Sequence, residues 1–496
     1  MSSEITKDDL INLGIHKEDP RFKDFFNSEN SELKNNFISK YLKGQLSVNN
    51  WNEIKKIIID IYNEVKADNQ GDVADYIPEL ADVNDELFGI SIVTVDGQVF
   101  QLGDYQQKFC VQSCSKPITY GIAIENYGEE IVHNYVGKEP SGRNFNELCL
   151  NEDGLPHNPL INSGSIMSTT LINPGKPQAK RFNYVLDYWN RLSSNLGVSF
   201  NNSVYLSEKD SADRNYCLAY MMQEKKAFQK GKESEIAKKN NRKWNLGDLK
   251  SNLELYFQFC SLELNLLSVG MIAASLANGG VNPWTNDKIF KYSTVKKILS
   301  LMLTCGMYDY SGEWGYKIGV PAKSGVSGLI YGIIPGVMGI SVYSPKLDKI
   351  GNSYRGVKFF KKLSEKLNIH IFDNEYNIDK ISIKHKEANN KKLLGYLLLE
   401  AASENDCYTI REVISKGVSV NFSDYDKRTA LHLAVNEKNI EAIKLLLRRN
   451  ADINLKDRWD KTSLDEAGDD EDIKELLLSE NDKEDSNSES MVSDDD

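Results

Sequence analysis

The chain has 496 residues, 40% of them hydrophobic and 27% charged, with a formal net charge of −12. That length accommodates two or three domains with a large core, in an ordinary globular composition. The negative balance excludes a general binder of nucleic acid or of anionic membrane surfaces, although part of it sits in an acidic Ser/Asp/Glu tail, residues 480–496, expected to be disordered.

Seven cysteines without paired spacing point to reduced thiols, and no C-x-x-C or H-E-x-x-H motif supports a zinc site. The six histidines are dispersed, so nothing groups them into a triad. The first residues show neither an apolar h-region nor an Arg-rich, acid-poor amphipathic segment, so a cytosolic location is expected. The most apolar long run, Leu329 to Tyr343, is broken by Gly332, Pro335, Gly336 and Gly339 and is too short to span a bilayer.

Residues 1–70 show helical periodicity, clearest in Trp51-Asn52-Glu53-Ile54 through Tyr62, and are expected to form a small helical bundle. From Phe88 the period changes to that of strands. Two β-branched runs flank Asp96-Gly97, a hairpin signal. Next comes Ser113-Cys114-Ser115-Lys116, running into the apolar helical stretch Ile118–Ile124. Residues three apart share a helix face, so the Ser113 hydroxyl and the Lys116 amine converge. A serine hydroxyl is a weak nucleophile that needs a base, and a lysine serves when burial or a nearby cation lowers its pKa. Pro117 keeps the helix from starting far upstream, which sets Ser113 at or just before its N-terminus.

Helical patterns continue to about Met307, interrupted by a Lys-rich polar stretch, residues 225–243, read as an exposed loop. Lys323-Ser324-Gly325 then precedes a second pair of strands around Pro335-Gly336. In Ser-x-x-Lys hydrolases a K-[ST]-G box on an adjacent strand completes the site. Strands at both ends with helices between suggest one antiparallel sheet with a helical subdomain inserted, Ser113 at the sheet–helix boundary and the Lys323 box on the facing edge.

Residues 373–392 are polar and lysine-rich, a linker. Beyond it Thr429-Ala430-Leu431-His432-Leu433-Ala434 recurs 33 residues later as Thr462-Ser463-Leu464-Asp465-Glu466-Ala467. That period and pattern resemble ankyrin repeats, with room for about three helix pairs over 393–479 and with His432 a structural residue of the repeat.

Longer blocks carry a further resemblance: Ala74-Asp75-Tyr76-Ile77-Pro78, Tyr135-Val136-Gly137-Lys138-Glu139-Pro140-Ser141-Gly142, Cys305-Gly306-Met307-Tyr308-Asp309 and Pro321-Ala322-Lys323-Ser324-Gly325-Val326. From about Val73 through Ser353 the chain resembles the serine-dependent glutaminases, close to the animal kidney and liver types. The resemblance implies an α+β fold like that of β-lactamases and penicillin-binding proteins over 71–372, and hydrolysis of L-glutamine through a glutamyl-serine ester. It makes Ser113 the nucleophile, Lys116 its base and Tyr308 an aid to proton transfer, with an oxyanion hole formed by the backbone N–H groups of Ser113 and Val326. It makes Tyr76, Asn162, Glu208, Asn215 and Tyr256 the substrate clamp. A homotetramer, a dimer of dimers, is implied; no metal or organic cofactor is.

Read without that resemblance, Tyr76 and Tyr256 are ordinary core tyrosines, Asn162 and Asn215 turn or cap residues, and Glu208 part of a charged helix start. The motif pair alone also fits a β-lactamase, peptidase or esterase, although Tyr256-Phe257-Gln258 does not supply the Y-x-N box such enzymes show. An inactive scaffold displaying the repeats is the third reading. The chain departs from the family at Asn162-Ser163-Gly164-Ser165, where alanines are usual. It departs again at residues 143–149, where Glu147 and Cys149 replace a lysine and a phenylalanine, so the resemblance gives no expectation either way on phosphate activation or filament growth.

Overall fold

The structure is a computed structural model that describes residues 7–22, 32–42, 45–48, 50–142, 147–228, 249–373, 380–383, 388–415 and 417–488. Most of the basic stretch and residues 143–146 therefore lie outside the described residues; Lys225 and Lys226, at its start, are exposed. The chain divides into two compact units, residues 1–385 and 386–496. Among the described residues no helix is long and apolar enough to cross a membrane.

The first unit is built on a five-stranded antiparallel sheet in the order β2-β1-β8-β7-β6. Its strands are β1 (Gly89–Thr94), β2 (Val99–Gly103), β6 (Ala322–Ser324), β7 (Leu329–Ile334) and β8 (Met338–Tyr343). Chain segments more than 200 residues apart meet here: β1 pairs β8 with Ile92 opposite Ile340. Both expected hairpins form, β1 to β2 and β7 to β8. Every residue of β1, β7 and β8 is buried, so these strands read as continuous apolar runs because both faces of the sheet are covered.

One face carries the helix Leu266–Ala277, all twelve of whose residues are buried. Gly339 on β8 lets it approach, since a Cβ there would stand 2.3 Å from the Ala274 nitrogen. The other face carries the helices Trp51–Lys66 and Tyr354–Lys366, whose apolar sides share a core with Ile90, Ile92, Ile330 and Ile340. Here the expectation of a bundle over residues 1–70 is corrected for its last helix only, since Leu10, Ile15, Phe22, Phe37 and Leu46 form a small cluster of their own. The stripe Trp51, Ile54, Ile58, Ile61, Val65 is buried, as its spacing requires, but against the sheet and not within a separate bundle. Fully burying side chains of that size is favourable by about 1.5–3 kcal/mol each, so the helix belongs to the sheet's core.

Between the two halves of the sheet lies the helical subdomain, organised around helices Lys116–Tyr127, Asn162–Thr170, Asn202–Asp210, Asp213–Glu224, Leu249–Cys260 and Tyr292–Cys305. A small second sheet, β3 (Phe109–Cys110), β5 (Leu262–Leu264) and β4 (Ser199–Phe200), in the order β3-β5-β4, ties the start of this region to its later helices.

The second unit contains three helix pairs: Ala388–Ser403 with Cys407–Ser415, Ala430–Asn436 with Ile440–Leu447, and Ser463–Glu466 with Glu471–Ser488. Thr429 and Thr462 each cap a helix reciprocally with the residue three further on, His432 and Asp465. His432 is fully buried and its Nε2 lies 3.2 Å from the Lys461 carbonyl, which ties one repeat to the next. Two sequence expectations differ here. The first helix begins at Ala388, inside the stretch read as linker, and the last continues to Ser488, into the tail expected to be disordered. No glycine or proline interrupts residues 471–488, so nothing in the backbone stops the helix that Glu471 begins.

Candidate active site

Ser113 lies in the single 3₁₀ turn Gln112–Ser115, directly ahead of the helix Lys116–Tyr127, with Pro117 in that helix's first turn. The preceding residue, Gln112, is held in the left-handed region at φ 49°, as is Tyr308 at φ 54°. Strained backbone of this kind persists only where surrounding structure enforces it. Gln112 immediately precedes the serine, and Tyr308 hydrogen-bonds with it.

Lys116 has no exposed surface, and its Nζ donates to Asn162 Oδ1 at 2.7 Å. Asn162 in turn donates to Asn215 Oδ1 at 3.0 Å. Three helices thus deliver one polar chain to the serine's turn. A second fully buried lysine, Lys323 on the edge strand β6, donates to the Ser324 carbonyl at 2.6 Å and lies 4.4 Å from the centre of the Tyr308 ring. Burial, reinforced by the charge of Lys323, pushes the Lys116 amine down to about 7. Burial likewise pushes Lys323 down to about 8. Tyr308 is 8% exposed; burial drives its hydroxyl pKa up, and a hydrogen bond with Ser113 works the other way.

The K-S-G strand comes this close because Gly325 has no side chain. A Cβ there would stand 2.9 Å from the Val111 carbonyl and 3.1 Å from Cys114 Sγ, both on the serine's own turn. The Tyr331 hydroxyl also donates to the Cys114 carbonyl at 3.3 Å, across the same seam. Val326 follows at once and is half-buried. Among the described residues neither the Ser113 nor the Val326 N–H donates to a backbone carbonyl.

On the other side of the pocket Glu208 is 8% exposed and accepts the Tyr76 hydroxyl at 2.6 Å. Burial raises the Glu208 carboxyl pKa, while hydrogen bonds from Tyr76 and Gln112 favour its charged form. Tyr256 is buried, its hydroxyl pushed up by burial and by nearby Cys260 and Glu208. Tyr76 itself is 46% exposed while its hydroxyl reaches Glu208, so the core-tyrosine account fails for it. A cavity of about 420 Å³, lined by Ser141, Gly142, Leu160, Ile161 and Tyr308 among others, opens beside the site.

The structure therefore gathers Ser113, Lys116, Tyr308, Asn162 and Asn215 on one side and Tyr76, Glu208 and Tyr256 on the other, with Val326 at the seam. Two residues had no role in the sequence reading. Lys323 was visible only as a letter of its box, although the apolar run Val320-Pro321-Ala322 before it hints at burial. Gln112 carried no signal, because a left-handed glutamine is not legible in sequence.

Fold and pocket together place the chain among the β-lactamase-like hydrolases. The family model for glutaminase matches residues 71–372, and that for ankyrin repeats, in three copies, matches 369–457 and 398–489. The mitochondrial liver isoform of glutaminase from Rattus norvegicus is 42% identical over 412 residues, 82% of this chain and 65% of that protein. A glutaminase from a Nostoc species is 44% identical over 323 residues, 64% of this chain and 90% of its own length. A solved structure of a probable glutaminase superposes with a TM-score of 0.59 at 33% identity, covering 65% of this chain and 99% of the other. The chain belongs to the glutaminase family, and hydrolysis of glutamine is the reaction that family and pocket support.

Proposed function

We propose that the chain hydrolyses L-glutamine to L-glutamate and ammonia through a glutamyl ester on Ser113. The observation that carries this reading is the buried Lys116, its amine 2.7 Å from Asn162 and its pKa pushed down to about 7. Near pH 7 such an amine is neutral about half the time, so it can take the hydroxyl proton as Ser113 attacks the side-chain amide carbon. As the Oγ–C bond forms, an electron pair moves onto the carbonyl oxygen, where the N–H groups of Ser113 and Val326 receive it. Collapse breaks the C–N bond, and ammonia leaves with a proton passed back through Lys116 and Tyr308. Water, deprotonated by the same pair, then attacks the ester and frees glutamate and Ser113. Glu208, steadied by Tyr76, suits the substrate's α-ammonium. Asn162, Asn215 and Tyr256 offer donors for its carboxylate and amide. Buried polar groups of this kind reject analogues that leave them unpaired.

A homotetramer built as a dimer of dimers is the proposed assembly, on family resemblance. The repeats are the proposed surface for a protein partner, with Tyr425 and Trp459 exposed on them at 82% and 56%. The cytosol is the proposed location, while the rat relative is named as mitochondrial; cell fractionation decides between them.

Glutamate release from L-glutamine, with and without phosphate, tests the reaction in wild type and Ser113→Ala. The variant is expected to lose at least about 10³-fold in turnover. A wild type inert toward glutamine overturns the reading. If it also hydrolyses nitrocefin, the broader acyl-hydrolase reading replaces it.

A further inference from the structure

A smaller cavity, of about 190 Å³, is lined by Glu79, Cys110, Val326 and Ser327 among others. Its walls come from segments that also carry site residues. Glu79 follows Tyr76 by three positions, Cys110 precedes Ser113 by three, and Val326 with Ser327 continues the K-S-G turn. Three carboxylates line it, Glu79, Asp82 and Glu263, against one ammonium, Lys108, which already lies 3.9 Å from Glu263.

Among the described residues, two of its polar side-chain atoms have no partner. Ser327 is 4% exposed and its hydroxyl is unbonded, as is Oε2 of Glu79. The other Glu79 oxygen accepts Ser207 Oγ at 3.0 Å, which fixes the carboxylate while leaving Oε2 open. A buried acceptor in a negative field calls for a cation or a donor. Among the described residues no three His, Cys, Asp or Glu side chains converge as a metal site does. A monovalent ion asks for less: one carboxylate, hydroxyl oxygen and water. The volume accommodates such an ion with several waters, each occupying about 30 Å³.

We propose that this cavity binds a small monovalent cation between the Glu79 carboxylate and the Ser327 hydroxyl, and that its occupancy tunes the adjoining glutamine pocket. Ser207, which holds Glu79, is the neighbour of Glu208, and the negative charge of Glu79 is among the influences that raise the Glu208 carboxyl pKa. A cation at Glu79 offsets that repulsion and keeps Glu208 charged. This second step rests on the reading of Glu208 as the ammonium clamp; the binding itself does not. Ammonium, which the reaction releases, shares the required chemistry with potassium and sodium.

Thermal melting of the full chain at fixed ionic strength in ammonium, potassium, sodium and tetramethylammonium chlorides tests the site. The methyl groups of the last keep oxygen ligands from its charge. At least one small cation is expected to raise Tm by about 2–4 °C at ten times its dissociation constant. That response is expected to vanish in both Glu79→Gln and Ser327→Ala, each compared with itself across salts. Equal melting of the wild type in all four salts overturns the proposal, as does a response that survives both substitutions. In the stabilising salt KM for glutamine, followed by glutamate release, is expected to fall about threefold; an unchanged KM removes the coupling. Melting needs no turnover, so failure of the cation site and failure of the glutaminase reading are seen separately.

Discussion

Two buried lysines in one pocket are the residue-scale feature from which the chemistry follows. Each loses hydration on burial, and the charge of Lys323 adds to the pressure on Lys116 to shed its proton. A lysine acts as a base only when neutral, so its reactive form grows as pH rises through about 7. The rate kcat/KM is therefore expected to climb about tenfold per pH unit on the acid side and level off above that value. Replacing Lys323 with Met removes the neighbouring charge but leaves Lys116 buried, so its pKa rises and the limb moves to higher pH. A pH–rate profile unchanged in Lys323→Met would remove Lys323 from this account. The same lysines enter stability with a definite sign. Their folded pKa values, about 7 and about 8, lie below the ordinary 10.5, so in between the unfolded chain binds more protons. Stability from this source rises with pH across that window. The urea midpoint of wild type is expected to rise relative to that of Lys323→Met between pH 8 and 10.

Among elements, the hairpins were legible because strand alternation and the Asp96-Gly97 and Pro335-Gly336 pairs declare themselves locally. Strands at both ends of a helical stretch then implied the shared sheet, which brings the Lys323 box opposite Ser113. What was not legible depends on tertiary structure. The 3.6-residue stripe of Trp51–Lys66 states which face is buried but not what buries it. The strands of the second sheet are two or three residues long, too short to show a period. The pairing of Tyr76 with Glu208 and the left-handed Gln112 are likewise set by neighbours distant in sequence. The seam at Gly325, between the K-S-G strand and the serine's turn, supports a prediction. A methyl group in Gly325→Ala would press on the Val111 carbonyl and Cys114 Sγ, forcing β6 away from the serine's turn and carrying the Val326 N–H with it. Turnover is expected to fall about 10²–10³-fold, as when one oxyanion donor is lost. The overpacking itself costs about 1–3 kcal/mol of stability. Gly315→Ala, on a helix where an added Cβ meets nothing within 4 Å, is the control and is expected to stabilise slightly. Full activity in Gly325→Ala would show that the seam does not position the N–H.

At the scale of the whole molecule, the 33-residue repeat and the catalytic motifs occupy separate stretches of sequence, and the cores follow that division. The repeat core draws all its buried members from residues 398–477, and no candidate site residue is among them. Leu431, 1% exposed in that core, lies on the helix whose cap joins Thr429 to His432. Truncating it removes buried methyl groups and leaves a cavity, a change that costs about 2–5 kcal/mol where the surroundings cannot collapse. Repeat units depend on their neighbours for burial, so the loss is expected to spread across all three helix pairs and not stay within one. Leu431→Ala is therefore expected to lower one calorimetric transition by several degrees while kcat and KM for glutamine hold their wild-type values. A fall in kcat that tracks the loss of the repeats would mean that the catalytic residues rely on the second unit, and the division of labour drawn from the two cores would fail.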